Sequence, residues 1–283
     1  MKKIIILLFI VTGLFGESFE YPHGKLGEII KLGEDILNHT DTNPLSKEYV
    51  NSKLQCVNCH RKGEDGRVGT TKRIGTFVAT ATAFPAYSKR YDEIITLQNR
   101  INGCFLRCLG GQKSVINTKV GIAVTTYITW LSEGMKMQMN EKAPRTPLKT
   151  EIWSKNRKNF IALFAKVTDK NYKNGKQLYK RKCASCHNIN GDGYNHFPAL
   201  WGKNKKGEWL SYTSDGSMAK LPNSAVWIQE NMPFQQGSSL KDSEVIDIVL
   251  YINAQERMIY NGVTLEDNFK KVGLDLKKIK TKL

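Results

Sequence analysis

The chain has 283 residues, 40% of them hydrophobic, so it can form one or two folded domains and is not a disordered chain. Its 43 lysines and arginines against 26 acidic residues give a formal net charge of +17, which favours an anionic substrate or an acidic partner. The basic residues are dispersed along the chain and many of them fit a solvated surface, so we expect no nucleic-acid partner.

The first residues have the pattern of a secretory signal. Met1, Lys2 and Lys3 precede an apolar run at residues 4–11 that is too short to span a bilayer. We expect cleavage after Gly16, a periplasmic location and no membrane span in the mature chain. Leu14 is bulky for its position before the cleavage site, so an uncleaved anchor is the alternative.

Residues 25–37 predict an amphipathic helix, because Leu26, Ile29, Ile30 and Ile36 fall on one face. The apolar stretch 115–131 carries no charge after Lys119, as expected of a buried helix.

Two segments carry the attachment signature of c-type haem. Residues 56–60 are Cys-Val-Asn-Cys-His, and residues 183–187 are Cys-Ala-Ser-Cys-His. In this pattern the two thiols add to the haem vinyl groups, and the histidine becomes the proximal ligand of the iron. A zinc site or a thioredoxin-type redox pair is the alternative for a lone Cys-x-x-Cys, but neither needs the adjacent histidine. The predicted haem c residues are Cys56, Cys59 and His60 at the first site, and Cys183, Cys186 and His187 at the second.

The segment between the two motifs holds two more cysteines. Residues 84–90 are Phe-Pro-Ala-Tyr-Ser-Lys-Arg, residues 96–104 are Thr-Leu-Gln-Asn-Arg-Ile-Asn-Gly-Cys, and Cys108 follows one helical turn later. A disulfide between Cys104 and Cys108 is one possibility in an oxidising compartment, although regular helix geometry aims such side chains poorly for the bond.

Residues 140–147 contain two prolines and several charges, which predicts a connection between two domains. We place the domains at residues 17–150 and 151–283. Beyond the connection, residues 151–166, 175–182 and 243–256 are predicted helices, and the basic run 270–282 is interpreted as solvated surface. The predicted fold class is mostly α.

The C-terminal half resembles class I cytochromes c. Gly175 begins the helix before the second haem motif, and Asn231, Met232 and Pro233 follow in the order expected of that class. The resemblance implies that Met232 is the second axial ligand of the second haem, with Met218 as the competing candidate. A neutral thioether stabilises ferrous iron and suits an electron-transfer haem.

Most of the mature chain resembles the dihaem thiosulfate dehydrogenase and tetrathionate reductase family. The resemblance is carried by the first haem motif, the Phe-Pro-x-Tyr segment, the Thr-Leu-x-x-Arg-Ile-Asn-x-Cys run and the class I-like domain. It implies that Cys104 ligates the first haem opposite His60, and that Arg90 and Arg100 lie in the substrate site. Members often carry serine where this chain has Cys108, and some carry lysine where it has Asn231.

The implied chemistry is the interconversion of two thiosulfates with tetrathionate and two electrons, at a cysteine-ligated haem, with a periplasmic redox partner such as a small cytochrome c. A thiolate ligand stabilises ferric iron and lowers the potential, and two guanidiniums can bind a dianion through forked hydrogen bonds. The arginines could instead pair with haem propionates. The alternatives for the whole protein are a non-catalytic dihaem carrier and a Sox-system A-type subunit.

Overall fold

The computed structural model describes residues 20–139 and 145–281. The predicted signal and part of the predicted connection lie outside these residues. The described chain is mostly helical, as predicted, and its sheet content is one antiparallel pair of short strands. Within the described ranges, no helix is both long and apolar enough to cross a membrane.

The first half is built on two long helices and two shorter ones. Its elements are α1 (Gly24–Asn38), α2 (Cys56–Cys59), β1 (Ala86–Ser88), β2 (Glu93–Ile95), α3 (Leu97–Arg107) and α4 (Lys119–Trp130). Helix α1 packs on α4, and Gly33 lies at their contact, where a Cβ would come within 2.2 Å of the Ala123 carbonyl oxygen. Only glycine allows the two backbones to approach so closely.

The second half repeats this arrangement. Its helices are α5 (Thr150–Phe164), α6 (Asp169–Lys182), α7 (Ala184–His187), α8 (Leu221–Asn231), α9 (Asp242–Asn253), α10 (Leu265–Lys270) and α11 (Leu276–Thr281). Helix α6 packs on α9, and a Cβ on Gly175 would come within 1.9 Å of the Asp247 carbonyl oxygen. Each half therefore places a haem-attachment helix beside a close crossing of two long helices.

Each half has its own hydrophobic core, and each core also contains residues from the other half. Tyr212 and Ala219 come from the second half but pack in the first core, whereas Ile74 comes from the first half and packs in the second. The position of the boundary at residue 150 stays a prediction, since the exchanged residues show only that the halves interlock.

The predicted helices are confirmed, with shifts at their ends. The fourth helix begins at Lys119 because the Thr118 side chain caps it, so residues 115–118 of the predicted helix form a turn. Ile30 and Ile36 are buried as predicted, but Leu26 is 54% exposed. In the basic C-terminal run, Ile279 is buried, so that run is only partly a solvated surface.

Candidate active site

Helix α3 presents the reactive side chains along one face. The Thr96 hydroxyl caps the helix by accepting from the Asn99 backbone N–H at 3.2 Å. From this start, Arg100, Cys104, Arg107 and Cys108 follow at spacings of three and four residues, and all of them line one cavity. The cap therefore fixes which face of the helix meets the cavity.

The cavity has a volume of about 470 Å³ and is strongly basic. The first haem motif lines it together with α3, the connection after residue 144 and residues of the second half. None of the described residues that line it is an aspartate or a glutamate. The lining lysines and arginines are Lys89, Arg90, Arg100, Arg107, Arg145 and Lys149. Such a set of charges selects for anions.

The sulfur of Cys104 lies within this field. The Arg100 Nη1 donates to Cys104 Sγ at 2.9 Å. A hydrogen bond with Cys108 and the charge of Arg100 hold the pKa of Cys104 well below its ordinary value, although burial opposes this shift. The same hydrogen bond and burial raise the pKa of Cys108. The two opposite shifts therefore favour a thiolate at Cys104 and a neutral thiol at Cys108.

The opposite side of the cavity fits covalent haem. Burial raises the pKa of Cys56 and of Cys59 to about 12, so both positions favour neutral sulfur, as in a thioether. His60 Nδ1 lies 2.8 Å from the Gly75 carbonyl oxygen, which orients the ring and leaves Nε2 for a metal. Burial also lowers the pKa of His60, which favours the neutral imidazole that binds iron.

The second haem site has the same proximal arrangement. His187 Nδ1 lies 2.8 Å from the Pro198 carbonyl oxygen, and burial raises the pKa of Cys183 to about 12. Met232 directly follows helix α8 and packs against the second core with Cys183. Met218 instead packs against the first core and lines the first cavity. The structure thus places the two candidate methionines beside different haem motifs.

The predicted arginines have different neighbours. Arg100 contacts Cys104, as described above, whereas Arg90 Nη1 lies 3.3 Å from Asp215 Oδ1 in the second half. All six cysteines are free in the structure, and the alternative of a disulfide between Cys104 and Cys108 is not adopted.

Sequence reasoning missed several residues of the cavity. Arg107 could have been found, because it lies three residues after Cys104 and falls on the same face if the segment is helical. Arg145, Trp227 and Asp215 are brought to the site by tertiary packing, and no local pattern marks them.

Direct hydrogen bonds connect the two haem sites. Trp227 Nε1 donates to the Cys59 carbonyl oxygen at 3.1 Å, and Asn231 Nδ2 donates to the Ile74 carbonyl oxygen at 3.0 Å. Ile74 precedes Gly75, which orients His60. The backbone beside the first proximal ligand is therefore bonded to the segment that carries Met232.

Comparison with known families matches each half to a cytochrome. The model described as "SoxA/TsdA, cytochrome c domain" matches residues 47–137, and the model described as "Cytochrome c" matches residues 172–256. The two matches lie on either side of the predicted connection. The chain therefore carries two covalently attached haem c groups, one at each Cys-x-x-Cys-His motif.

The relatives agree with these matches. A thiosulfate dehydrogenase of Thiomonas intermedia is 30% identical over 241 residues, 83% of this chain and 68% of the relative, and one of Psychrobacter arcticus is 31% identical over 247 residues, 84% and 66%. The solved thiosulfate dehydrogenase (TsdBA) from Marichromatium purpuratum superposes with a TM-score of 0.64 at 27% identity, over 86% of this chain. The present chain spans about two thirds of the two relatives and 49% of the TsdBA chain. The chain belongs to the thiosulfate dehydrogenase family of dihaem c-type cytochromes.

Proposed function

We propose that the protein is a periplasmic oxidoreductase that interconverts thiosulfate and tetrathionate at Cys104. The observation that carries the proposal is the sulfur of Cys104, 2.9 Å from a guanidinium, in a cavity lined by six basic side chains and, among described residues, by no carboxylate. Thiosulfate and tetrathionate are both dianions, so a cavity of this charge concentrates them beside a reactive sulfur.

The basic side chains of the cavity carry more positive charge than the two haem propionates need as partners. Haem carries two propionates, and the Cys104 thiolate adds one further negative charge. Asp215 adds a fourth negative charge beside Arg90, and Arg145 has contacts of its own. The other five lysines and arginines still exceed these four charges, so the site stays positive and attracts a dianion. This excess supports a substrate anion beyond a role for all the arginines as propionate partners.

Each residue has a defined task in this proposal. Haem, when bound, supplies one-electron redox chemistry at its iron. His60 would hold the iron from one side, and Cys104 would face it from the other. Arg100 stabilises the thiolate and orients the substrate by its fork of N–H donors. Cys108 donates to Cys104 and so tunes how strongly that sulfur donates.

Two electrons must leave for every tetrathionate formed. The bond from Trp227 to the Cys59 carbonyl and the bond from Asn231 to the Ile74 carbonyl provide a short contact between the two haem segments. We propose that Met232 ligates the second haem, and that electrons pass through this haem to an external acceptor such as a small cytochrome c. The predicted signal at residues 1–16 supports export to the periplasm, where c-type haem is attached.

The test is an electron paramagnetic resonance spectrum of the ferric holoprotein, with thiosulfate oxidation and tetrathionate reduction assayed on the same samples. We expect a low-spin thiolate signal and turnover in the wild type, and loss of both in Cys104→Ala. Cys108→Ala is the matched control, because it removes a neighbouring thiol on the same helix face and should keep the thiolate signal.

Two outcomes would contradict parts of the proposal. A thiolate signal that survives Cys104→Ala would refute the ligand assignment. A thiolate signal without turnover in either direction would replace the enzyme with a dihaem electron carrier.

A further inference from the structure

Arginines flank Cys104 on both sides along helix α3. Arg100 precedes the cysteine by four residues and Arg107 follows it by three, so both lie on its face of the helix. Seven residues of α-helix rise about 10 Å, which separates the backbone positions of the two arginines along the helix. The family resemblance assigns a role to Arg100 but none to Arg107. This arrangement suits an anion that carries charge at both ends and has its centre at the sulfur.

Arg107 is buried and has unused hydrogen-bonding capacity. Only 9% of the residue is exposed. Its Nη1 donates to the Asp215 carbonyl oxygen at 3.3 Å and lies 3.9 Å from Asp215 Oδ1. Its Nε has no hydrogen-bond partner among the described residues. The side chain lines the cavity, so the N–H groups at the end of its guanidinium, beyond the enclosed Nε, are the donors that it offers to an anion there.

Asp215 cannot neutralise its surroundings. Its carboxylate is 7% exposed, and Oδ1 lies 3.3 Å from Arg90 and 3.9 Å from both Arg107 and Lys220. One negative charge therefore faces three positive charges. The cluster stays positive overall, and Asp215 holds the three cations together without cancelling their charge.

We propose that Arg107, positioned by Asp215, binds one terminal sulfonate of a dianion that lies across Cys104, while Arg100 binds the opposite sulfonate. The ligand class is the polythionates, whose two sulfonates are joined by a chain of sulfur atoms. This inference deepens the proposed function and rests on it. It adds a second, specificity-determining end to the site, contributed by Arg107 and the Asp215 cluster.

The competing acceptor for Arg107 is a haem propionate. Arg107 lies within one helical turn of Cys104 and directly precedes Cys108. The propionates of a bound haem would extend from the rim of the porphyrin, and the ligand role proposed for Cys104 would direct its sulfur to the iron. The position of Arg107 beside both thiols therefore favours a ligand held at the sulfur over a carboxylate at the rim.

The test measures how strongly the holoprotein prefers a two-ended anion. The probe is 1,2-ethanedisulfonate, which has the outline of tetrathionate and no sulfur–sulfur bond for Cys104 to attack, and its one-ended partner is ethanesulfonate. Calorimetric titration gives Kd for both. We expect Arg107→Gln to raise the Kd of the disulfonate about tenfold or more. The preference over the monosulfonate should fall with it, while haem content and absorption spectra stay unchanged.

Two further variants complete the design. Arg107→Lys keeps the charge and loses the fork, so it should fold normally and recover only part of the preference. If Arg107→Gln does not take up haem, the Kd values of Arg107→Lys still test the proposal. Arg181→Gln is the matched control, because it removes an exposed guanidinium from helix α6 and should leave both Kd values unchanged.

The outcomes separate this inference from the proposed function. Unchanged disulfonate binding in both Arg107 variants overturns the inference. A shift of the first haem's spectrum or potential without a change in preference also overturns it, and assigns Arg107 to a propionate. A preference that depends on Arg107 in a protein without turnover supports the anion site and refutes the proposed function. Turnover without any preference for the disulfonate refutes the site alone.

Discussion

The two halves of the molecule share one side of their haem sites and differ on the other. In both halves a glycine allows two long helices to cross closely, a short helix carries the cysteines, and the proximal histidine lies 2.8 Å from a backbone carbonyl. Helix α3, with Cys104 and its arginines, lines the same cavity as His60. Beside His187 lie apolar and aromatic side chains, among them Phe197, together with the segment of Met232.

This difference shows how one scaffold serves two tasks. The residues on the proximal side would hold a haem in the same way in each half. They therefore do not show which half binds a substrate. The other side presents the sulfur of Cys104 to a basic cavity in the first half, and packs Met232 against a hydrophobic core in the second. In the first half a basic cavity lies beside the haem motif. The difference between the two haem sites therefore lies on the side away from the proximal histidine.

The largest effect is expected from giving the first haem site the type of ligand proposed for the second. Cys104→Met replaces a charged donor by a neutral one, and axial ligands move haem potentials over about 0.8 V. We expect the potential of the first haem to rise and thiosulfate oxidation to fall by about 10³-fold or more, because the reactive sulfur is lost. Potentiometric titration and steady-state rates measure both quantities.

The reciprocal change is the control. Met232→Cys alters the potential of the second haem and leaves the basic cavity intact, so the binding of ethanedisulfonate should not change. Turnover by Cys104→Met within tenfold of the wild type would show that the thiolate is not required.

A smaller effect is expected where the two halves are alike. Gly175→Ala places a methyl group 1.9 Å from the Asp247 carbonyl oxygen, and Gly33→Ala places one 2.2 Å from that of Ala123. The helices must separate, so each change should lower the free energy of unfolding by about 1–3 kcal/mol. Thermal unfolding of the holoprotein, followed by circular dichroism, measures the loss.

Lys176→Ala is the control for the glycine variants, because this neighbour of Gly175 is exposed and should unfold at nearly the wild-type temperature. Equal midpoints for Gly175→Ala and Lys176→Ala would mean that helices α6 and α9 do not approach as closely as described.

The features that depend on the spacing of nearby residues could be predicted from the sequence. The haem motifs, the long helices and the single helical face of Arg100 and Cys104 all follow from residues close in the chain. The Asp215 cluster does not, because Arg90 and Lys220 reach one carboxylate from opposite halves.

The exchange of residues between the two cores could not be predicted from the sequence either. Tyr212 is an aromatic residue in a loop, and its burial in the first core depends on how the second half docks. Ile279, buried within a lysine-rich run, shows the same limit, because the composition of that run indicates a solvated surface. Tertiary packing decided these positions, and local propensity did not.

A still smaller effect is expected at the contact between the two haem segments. Trp227→Phe removes the hydrogen bond from Nε1 to the Cys59 carbonyl oxygen, and we expect it to lower the free energy of unfolding by about 1 kcal/mol. Trp153→Phe is the matched control, because the buried Nε1 of Trp153 has no hydrogen-bond partner among the described residues. Denaturant unfolding of the two variants compares them directly, and an equal loss in both would show that the bond to Cys59 contributes nothing.

The smallest effect concerns the charge of the Asp215 cluster. Burial and the nearby charges of Arg90 and Arg107 lower the pKa of Lys220 to about 8, with Lys271 acting in the same direction and Asp215 opposing it. A protonated Lys220 adds positive charge to the Asp215 cluster and should strengthen binding of the proposed anion. We therefore expect the affinity for ethanedisulfonate to be full well below pH 8 and to fall as the pH rises through this pKa.

A charge at this distance should change the Kd about two- to fivefold between pH 7 and pH 9.5. Calorimetric titration across this range measures the step. Lys220→Gln should bind with the weaker affinity at every pH and show no step, because it has no proton to lose. Lys220→Arg should keep the stronger affinity throughout, since a guanidinium stays charged over the whole range. A step of the same size in all three proteins would assign the titration to another group and would separate Lys220 from the anion site.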